Sequence, residues 1–170
     1  MKSIYGIASC GINWGIGYNG GLLWKDSVDM AFFKKHTLHK TVVMGSKTAI
    51  SLPNSKPLIN RQNIVLTRNK NLKLNPGFQI ATYLDEVMQL VLTNELWVIG
   101  GAQIYGAFLE QVLIEKMYIN MFNLDCKADT YFPYDILKQN YCLKNVTGIS
   151  AIISSILYEP LGDKRLFLQN

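Results

Sequence analysis

One carboxylate is conspicuous for its neighbours. Asp29 borders Met30 and Phe33 on the apolar side of a helical stretch. An unpaired carboxylate is costly in such a place. One held there asks for a cationic or N–H-donating guest. A plainer use is also open. Asp29 stands three residues after Asp26, and an acid in a first helical turn neutralises the positive end of the helix. By pattern alone the plainer use is the commoner. His36 and His39 follow, three apart. No third ligand is placed to join them, so no metal site is expected. No serine, histidine and aspartate stand in an order that reads as a triad. With neither a nucleophile nor a metal cluster in view, the chemistry points to a cofactor.

Two glycine-marked turns suit a cofactor with phosphates. Gly45-Ser46-Lys47-Thr48 follows a buried strand and opens a helix. Free N–H groups and a positive dipole end make a helix start a seat for phosphate. The segment is not a P-loop, because the upstream glycine is missing and Ser46 separates Gly45 from Lys47. Gly100-Gly101 also lies between a strand and a helix. Two glycines most often make only a tight turn. Two strand–glycine–helix elements in one sheet are nevertheless spaced for the two ends of a dinucleotide. Neither has the usual G-x-G-x-x-G pattern.

Periodicity supplies the elements that must hold these groups. Residues 5–10 are a short apolar run and read as a buried strand. A loop over residues 11–21 follows, with five of the chain's 13 glycines, which lets backbone approach a ligand closely. Residues 26–37 read as a helix with Met30, Phe33 and Thr37 on one face and Lys34 and Lys35 outside. Further strands are expected at 41–44, 63–67, 79–81, 96–99 and 116–122. Further helices are expected just after Gly45, at 85–92 and at 102–110. The remainder lacks helical periodicity and reads as two long strands joined near Pro160-Leu161-Gly162-Asp163. Strands alternating with about four helices predict an α/β domain with a mainly parallel sheet and an antiparallel C-terminal hairpin. Ligands on such sheets bind at the carboxyl ends of strands. The segments after Cys10, Met44 and Ile99 lie there.

Bulk properties agree with a single domain over residues 1–170. The chain is 49% hydrophobic and 17% charged, a globular composition. Its net charge of +5 is spread out. No basic run is long enough for a nucleic-acid arm. No apolar stretch approaches the roughly 20 residues of a membrane span. Cys10, Cys126 and Cys142 are odd in number and have no metal or redox spacing, which suits a reducing cytoplasm.

The combined spacing of Ile16-Gly17, Leu22, Trp24, Asp29, Phe33 and Thr37 resembles the signature of dihydrofolate reductases. Further segments are similar in order: Ile7-Ala8, Val43-Met44-Gly45 with Lys47-Thr48, Ser51-Leu52-Pro53, Pro57-Leu58, Arg61, residues 63–68, Val98-Ile99-Gly100-Gly101 with Ile104-Tyr105, and Asp129-Thr130 with Phe132-Pro133. The resemblance covers residues 4–133 well and weakens from Tyr134 onward.

That resemblance implies an eight-stranded sheet and NADPH-dependent reduction of dihydrofolate to tetrahydrofolate, by hydride transfer to C6 and protonation at N5. Asp29 would bond the pterin's 2-amino group and N3. Ile7 and Ile99 would offer backbone carbonyls at its other edge, and Phe33 would pack on the ring. Ala8, Met30, Ser51, Leu52, Leu58, Tyr105 and Asn120 would complete the substrate site. Arg61 would grip the α-carboxylate of the glutamate tail through its fork. Leu22 and Trp24 would belong to a mobile loop that closes over the nicotinamide. Closure would exclude water and hold the reacting carbons at roughly 3–3.5 Å.

The cofactor would lie along Ala8, Ile16, Gly17 and Asn19. Gly45, Ser46, Lys47 and Thr48 would form one helix start, and Gly100, Gly101, Ala102, Gln103, Ile104 and Tyr105 the other. Leu66, Thr67 and Arg68 would reach the 2′-phosphate, and Thr130 would lie nearby. Gly100-Gly101 would carry a cis peptide. The family implies a cytoplasmic monomer that also binds folate-like inhibitors, with no nucleic-acid or membrane partner. This chain departs from the family pattern at several points. Leu23 replaces a proline. Ser46 and Gln103 replace basic residues, leaving Lys47 and Arg68 as the main cations for the phosphates. Ala49 replaces a tryptophan, and Asn120 replaces the threonine that usually bonds the acid. A pyrimidine reductase of the same fold and a non-catalytic binding protein are the rival readings. The Trp24–Asp29–Phe33 spacing and Arg61 count against the first; the missing basic stripe and the presence of Asp29 on an apolar face count against the second.

Overall fold

Runs of Val and Ile covered on both faces suit the inner strands of a parallel sheet, and the computed structural model, which describes residues 2–162, uses them so. In chain order come β1 (Ser3–Gly11), β2 (Gly15–Tyr18), β3 (Gly21–Leu22), α1 (Ser27–Thr37), β4 (Thr41–Gly45) and α2 (Ser46–Ser51). A 3-10 turn at Pro53–Ser55 leads to β5 (Gln62–Leu66), β6 (Phe78–Ala81), α3 (Leu84–Leu90), β7 (Glu95–Val98) and α4 (Ala102–Glu110). The chain continues through β8 (Lys116–Phe122), β9 (Thr130–Tyr131), α5 (Tyr134–Asn140), β10 (Tyr141–Gly148) and β11 (Ile153–Pro160).

Eight strands form one sheet in the order β10-β11-β8-β1-β7-β4-β5-β6. From β8 to β6 the neighbours run parallel; β11 pairs antiparallel with both β8 and β10. Because β7 lies between β1 and β4, the carboxyl ends of these three strands come together.

Alternation along each strand sends side chains to opposite faces. Ile4, Ala8, Cys10, Val43, Ile64, Leu96 and Val98 join the core under α3, α4 and α5. Ile7, Val42, Met44, Val65 and Trp97 join the core under α1 and α2. The domain is thus wound on both faces.

The structure departs from the sequence expectations at four points. There are five α-helices among the described residues, not about four. The unexpected one, α5, has seven residues and only Leu137 fully buried, too little to produce a visible period. The glycine loop is partly strand: β2 pairs with β3 and β9 in a separate three-stranded sheet. The last two strands are joined at residues 149–152, not near Pro160. Ser150 makes that turn, its hydroxyl accepting the N–H groups of Ile152 and Ile153 at 3.3 and 3.1 Å. Pro160 instead ends β11 opposite Tyr141; Asp163 lies outside the described residues. Finally, α3 begins at Leu84 and stops at Leu90, two residues before the expected end. No helix among the described residues is long and apolar enough to cross a membrane.

Candidate active site

The helix start that carries Asp29 is capped by another residue. Asp26 Oδ1 accepts the N–H groups of Val28 and Asp29 at 2.8 and 3.0 Å. Capping therefore falls to Asp26, while Asp29 stands as the acid in the first turn. Asp29 is left to turn its carboxylate toward the sheet. There Ser9 on β1 and Asn120 on β8 are register partners, so both face α1. The Ser9 hydroxyl lies 2.8 Å from each carboxylate oxygen. It has one hydrogen, so these contacts are a single shared bond. Asn120 Nδ2 donates to Oδ1 at 2.8 Å.

Charge makes this arrangement informative. Burial pushes the Asp29 carboxyl above its ordinary value. The Asn120 and Ser9 hydrogen bonds oppose that, and Asp26 adds to it by repulsion. Asn120 Oδ1 is buried with no partner. Such an orphan costs about 1–3 kcal/mol. Turning the amide over would satisfy nothing, because it would set Oδ1 against the carboxylate. The negative charge of Asp29 thus fixes the Asn120 amide.

Beside the carboxylate lies an apolar floor. Phe33, Leu52, Leu58 and Ile99 pack with Ile7 in one cluster. Met30 is 60% exposed, and Ser51 is also exposed. At the far end, the Arg61 guanidinium lies 5.7 Å from the centre of the Phe33 ring. Its Nε donates to Thr37 Oγ1 and its Nη1 to the Ile59 carbonyl, both at 2.8 Å. At the near end, the buried Tyr105 hydroxyl donates to the Ile7 carbonyl at 2.6 Å. Trp24 stacks on Phe122, with ring centres 4.3 Å apart and planes 4° from parallel. Leu22 is 77% exposed.

A second set of expected residues gathers where β4 and β7 end. The N–H of Gly45 donates to the Gly100 carbonyl at 2.8 Å. The Gly100-Gly101 peptide is cis, as expected. A side chain at Gly100 or Gly101 would meet Thr48 Oγ1 at about 3.5 Å, and one at Gly45 would meet Ile104. The starts of α2, with Ser46 and Lys47, and of α4, with Ala102 and Gln103, therefore converge where glycines let the two chain segments pass closely. Ala8, Ile16, Leu66, Ile104 and Tyr105 belong to the core on this face of the sheet. Thr67 is tied to Ala81 by its N–H at 2.9 Å, and Arg68 beside it is exposed. Gly17 pairs with Thr130. Asn19 donates its N–H to Asp129 Oδ2 at 2.8 Å.

Comparison with known proteins agrees with this geometry. The family model for dihydrofolate reductase matches residues 3–150. The curated dihydrofolate reductase of Neisseria meningitidis is 38% identical over 134 residues, which are 78% of this chain and 80% of that protein. The chain belongs to the dihydrofolate reductase family. Its similarity to the Pneumocystis carinii enzyme is 31% over 154 residues, covering 78% of this chain and 75% of that one. A solved dihydrofolate reductase from Enterococcus faecalis, complexed with NADP(H) and RAB-propyl, superposes with a TM-score of 0.81. That similarity spans 94% of this chain and 97% of the other at 22% identity, and it shows the shared fold.

Within the dihydrofolate reductase frame, one residue at the acid escaped the sequence reading. A serine inside an apolar strand reads as small filler, and nothing near Ser9 marks it. Only the register with Asn120 and the position of α1 reveal it. His36 packs, its Nδ1 2.8 Å from the Phe32 carbonyl and its ring among Phe32, Trp97 and Tyr118, and His39 is exposed. Among the described residues no group of three His, Cys, Asp or Glu is placed to hold a metal.

Proposed function

We propose that this chain reduces dihydrofolate to tetrahydrofolate with NADPH, supporting one-carbon metabolism and thymidylate and purine synthesis. One observation carries the reading. Asp29 is a half-buried acid held by two neutral donors on the helix that also carries Phe33 of the apolar cluster, and the Arg61 guanidinium lies 5.7 Å from the centre of the Phe33 ring. A dihydrofolate molecule has the same layout, with an N–H-donating ring at one end and a carboxylate at the other.

In this reading Asp29 accepts hydrogens from the 2-amino group and N3 of the pterin. Its anionic charge makes N5 more basic, which favours protonation there. The carbonyls of Ile7 and Ile99 accept from the ring's opposite edge. Tyr105 already donates to the Ile7 carbonyl, which keeps that group oriented. Phe33, Leu52 and Leu58 enclose the flat middle of the substrate. Arg61 pairs with the α-carboxylate.

The meeting of two helix starts at Gly45, Gly100 and Gly101 suits a dinucleotide, since free N–H groups gather there and glycine lets a ligand approach the backbone closely. Lys47, Thr48, Ala102 and Gln103 would hold the phosphates there, and Thr67 with Arg68 the 2′-phosphate. NADPH supplies the hydride when bound. Trp24, anchored on Phe122, and Leu22 at the rim would exclude water from the reacting faces. The same reading makes the protein a cytoplasmic monomer with small-molecule partners, open to folate-like inhibitors.

The test is purified protein with NADPH and dihydrofolate, followed by loss of NADPH absorbance. Turnover is expected in the parent. Asp29→Asn is expected to fall sharply at neutral pH and to recover in part at low pH, where the substrate arrives protonated. Full neutral-pH turnover by that variant would remove Asp29 from its role.

A further inference from the structure

Ser9 stands on the same face of β1 as Ile7, and its hydroxyl reaches both oxygens of Asp29. Asn120 reaches only Oδ1. The two oxygens are therefore unequal. Oδ1 receives the amide hydrogen and a share of the hydroxyl hydrogen. Oδ2 receives only the other share. Since each carboxylate oxygen accepts about two hydrogens, Oδ2 keeps the greater capacity for a ligand.

We propose that Ser9 is a positioning residue for Asp29, anchoring the carboxylate to the sheet together with Asn120 while leaving acceptor capacity on both oxygens for a ligand, the greater on Oδ2. The name of the ligand rests on the reductase reading; the anchoring does not. Rotation about the last bond of an aspartate is broad and roughly two-fold. The helix backbone alone would leave the carboxylate plane free. Donors from two adjacent strands hold it in one plane.

The electrostatics single out the same two groups. The titratable neighbours of Asp29 are Asp26 on its own helix, Cys10 on β1 and Tyr105 on α4. None supplies a positive charge. The ion pairs among the described residues join Lys40 to Glu95 and Lys138 to Asp135, away from the cleft. Ser9 and Asn120 are thus the groups that offset the burial of this acid. Their donors lower its pKa against burial's upward push.

The experiment uses the full chain, free of ligand, with carbon-13-labelled aspartate. The Asp29 carboxyl signal is assigned by its absence in Asp29→Asn and then titrated. In Ser9→Ala its midpoint is expected to rise by about one pH unit. In Ser9→Thr, which keeps the hydroxyl, it is expected to stay at the parent value. In turnover assays Ser9→Ala is expected to raise the dihydrofolate KM by about 3- to 10-fold and leave the NADPH KM unchanged. An Asp29 midpoint that is the same in Ser9→Ala as in the parent overturns the proposal. So does a Ser9→Thr midpoint that moves with the alanine variant. If the parent failed to reduce dihydrofolate while the midpoint still rose in Ser9→Ala, the reductase reading would fall and the anchoring would stand.

Discussion

Thr37 Oγ1 donates to the Phe33 carbonyl and accepts from Arg61 Nε, each at 2.8 Å. The last turn of α1 is therefore built into the arginine's position. The buried threonine spends its hydrogen on its own helix and its lone pair on the guanidinium. With Nε engaged there and Nη1 on Ile59, the fork is fixed before any ligand arrives. Arg61→Ala is expected to raise the dihydrofolate KM by about 10- to 150-fold, the worth of a charge-assisted bond, with little change for NADPH. Thr37→Val should raise it by about 3- to 10-fold, and Thr37→Ser should behave as the parent. Steady-state kinetics with each substrate varied separately decides this. Equal effects on both substrates would move Arg61 away from the substrate tail.

Asp29 should exact a cost in stability. Its folded pKa is raised, chiefly by burial. The folded chain holds that proton more tightly than the unfolded chain. The resulting stability is present at acid pH and is lost as pH rises through the folded value. At neutral pH the ionised acid is a net burden. Asp29→Asn removes the charge and frees the Asn120 amide to turn and satisfy Oδ1. This variant is expected to melt about 2–4 °C above the parent at neutral pH. The gain should shrink as pH falls toward the ordinary carboxyl range. Calorimetry across that range measures it, and a variant less stable than the parent at every pH contradicts the account.

How much of this was readable in advance depended on locality. The inner strands were visible because Val42, Val43, Met44, Ile64 and Val65 are apolar without interruption. Asp29, Trp24, Phe33 and Arg61 were visible because their spacing within short stretches is distinctive. Ser9 was not, because its meaning arises from β1 lying beside β8, more than 100 residues later in the chain. The turn at Ser150 was missed because its hydroxyl does work usually left to glycine or proline. The Pro160-Leu161-Gly162 sequence looks like the better turn, yet Pro160 is the last residue of β11, beyond the stretch paired with β8, where a missing N–H breaks no bond to that strand. Asn120 was expected to serve the acid in place of a threonine, and its amide does so.

Asp129 makes three bonds here, two of them to the glycine-rich segment. Its carboxylate accepts from Asn19 N–H and from the Thr130 hydroxyl, and its own N–H donates to the Gly17 carbonyl at 3.0 Å. These donors, the Asn19 amide first, hold its carboxyl below the ordinary value, and Lys47 adds a small attraction. The clamp is therefore present above the unfolded carboxyl value and is lost as pH falls through the lower folded one. Asp129→Ala is expected to speed amide hydrogen exchange at Asn19 and to lower turnover by about 3- to 10-fold. Unchanged exchange at Asn19 would show that the segment is held by its strand pairing alone.

Cofactor choice should rest on Arg68. Thr67 is fixed by its bond to Ala81, and its hydroxyl accepts the Asn69 N–H at 3.3 Å, so the turn that presents Arg68 is ordered. The 2′-phosphate is the feature that separates NADPH from NADH, whereas the pyrophosphate is common to both. Ser46 and Gln103 are neutral, which leaves Lys47 to serve the shared phosphates. Arg68→Ala is thus expected to raise the NADPH KM by about 10-fold or more, as for loss of a charge-assisted bond, and to leave the NADH KM nearly unchanged. Lys47→Ala should weaken both cofactors alike. The contrast between the two variants is the measurement. If Arg68→Ala weakened both cofactors equally, the 2′-phosphate would have to be held elsewhere, and the preference would rest on Thr67 and the backbone of its turn.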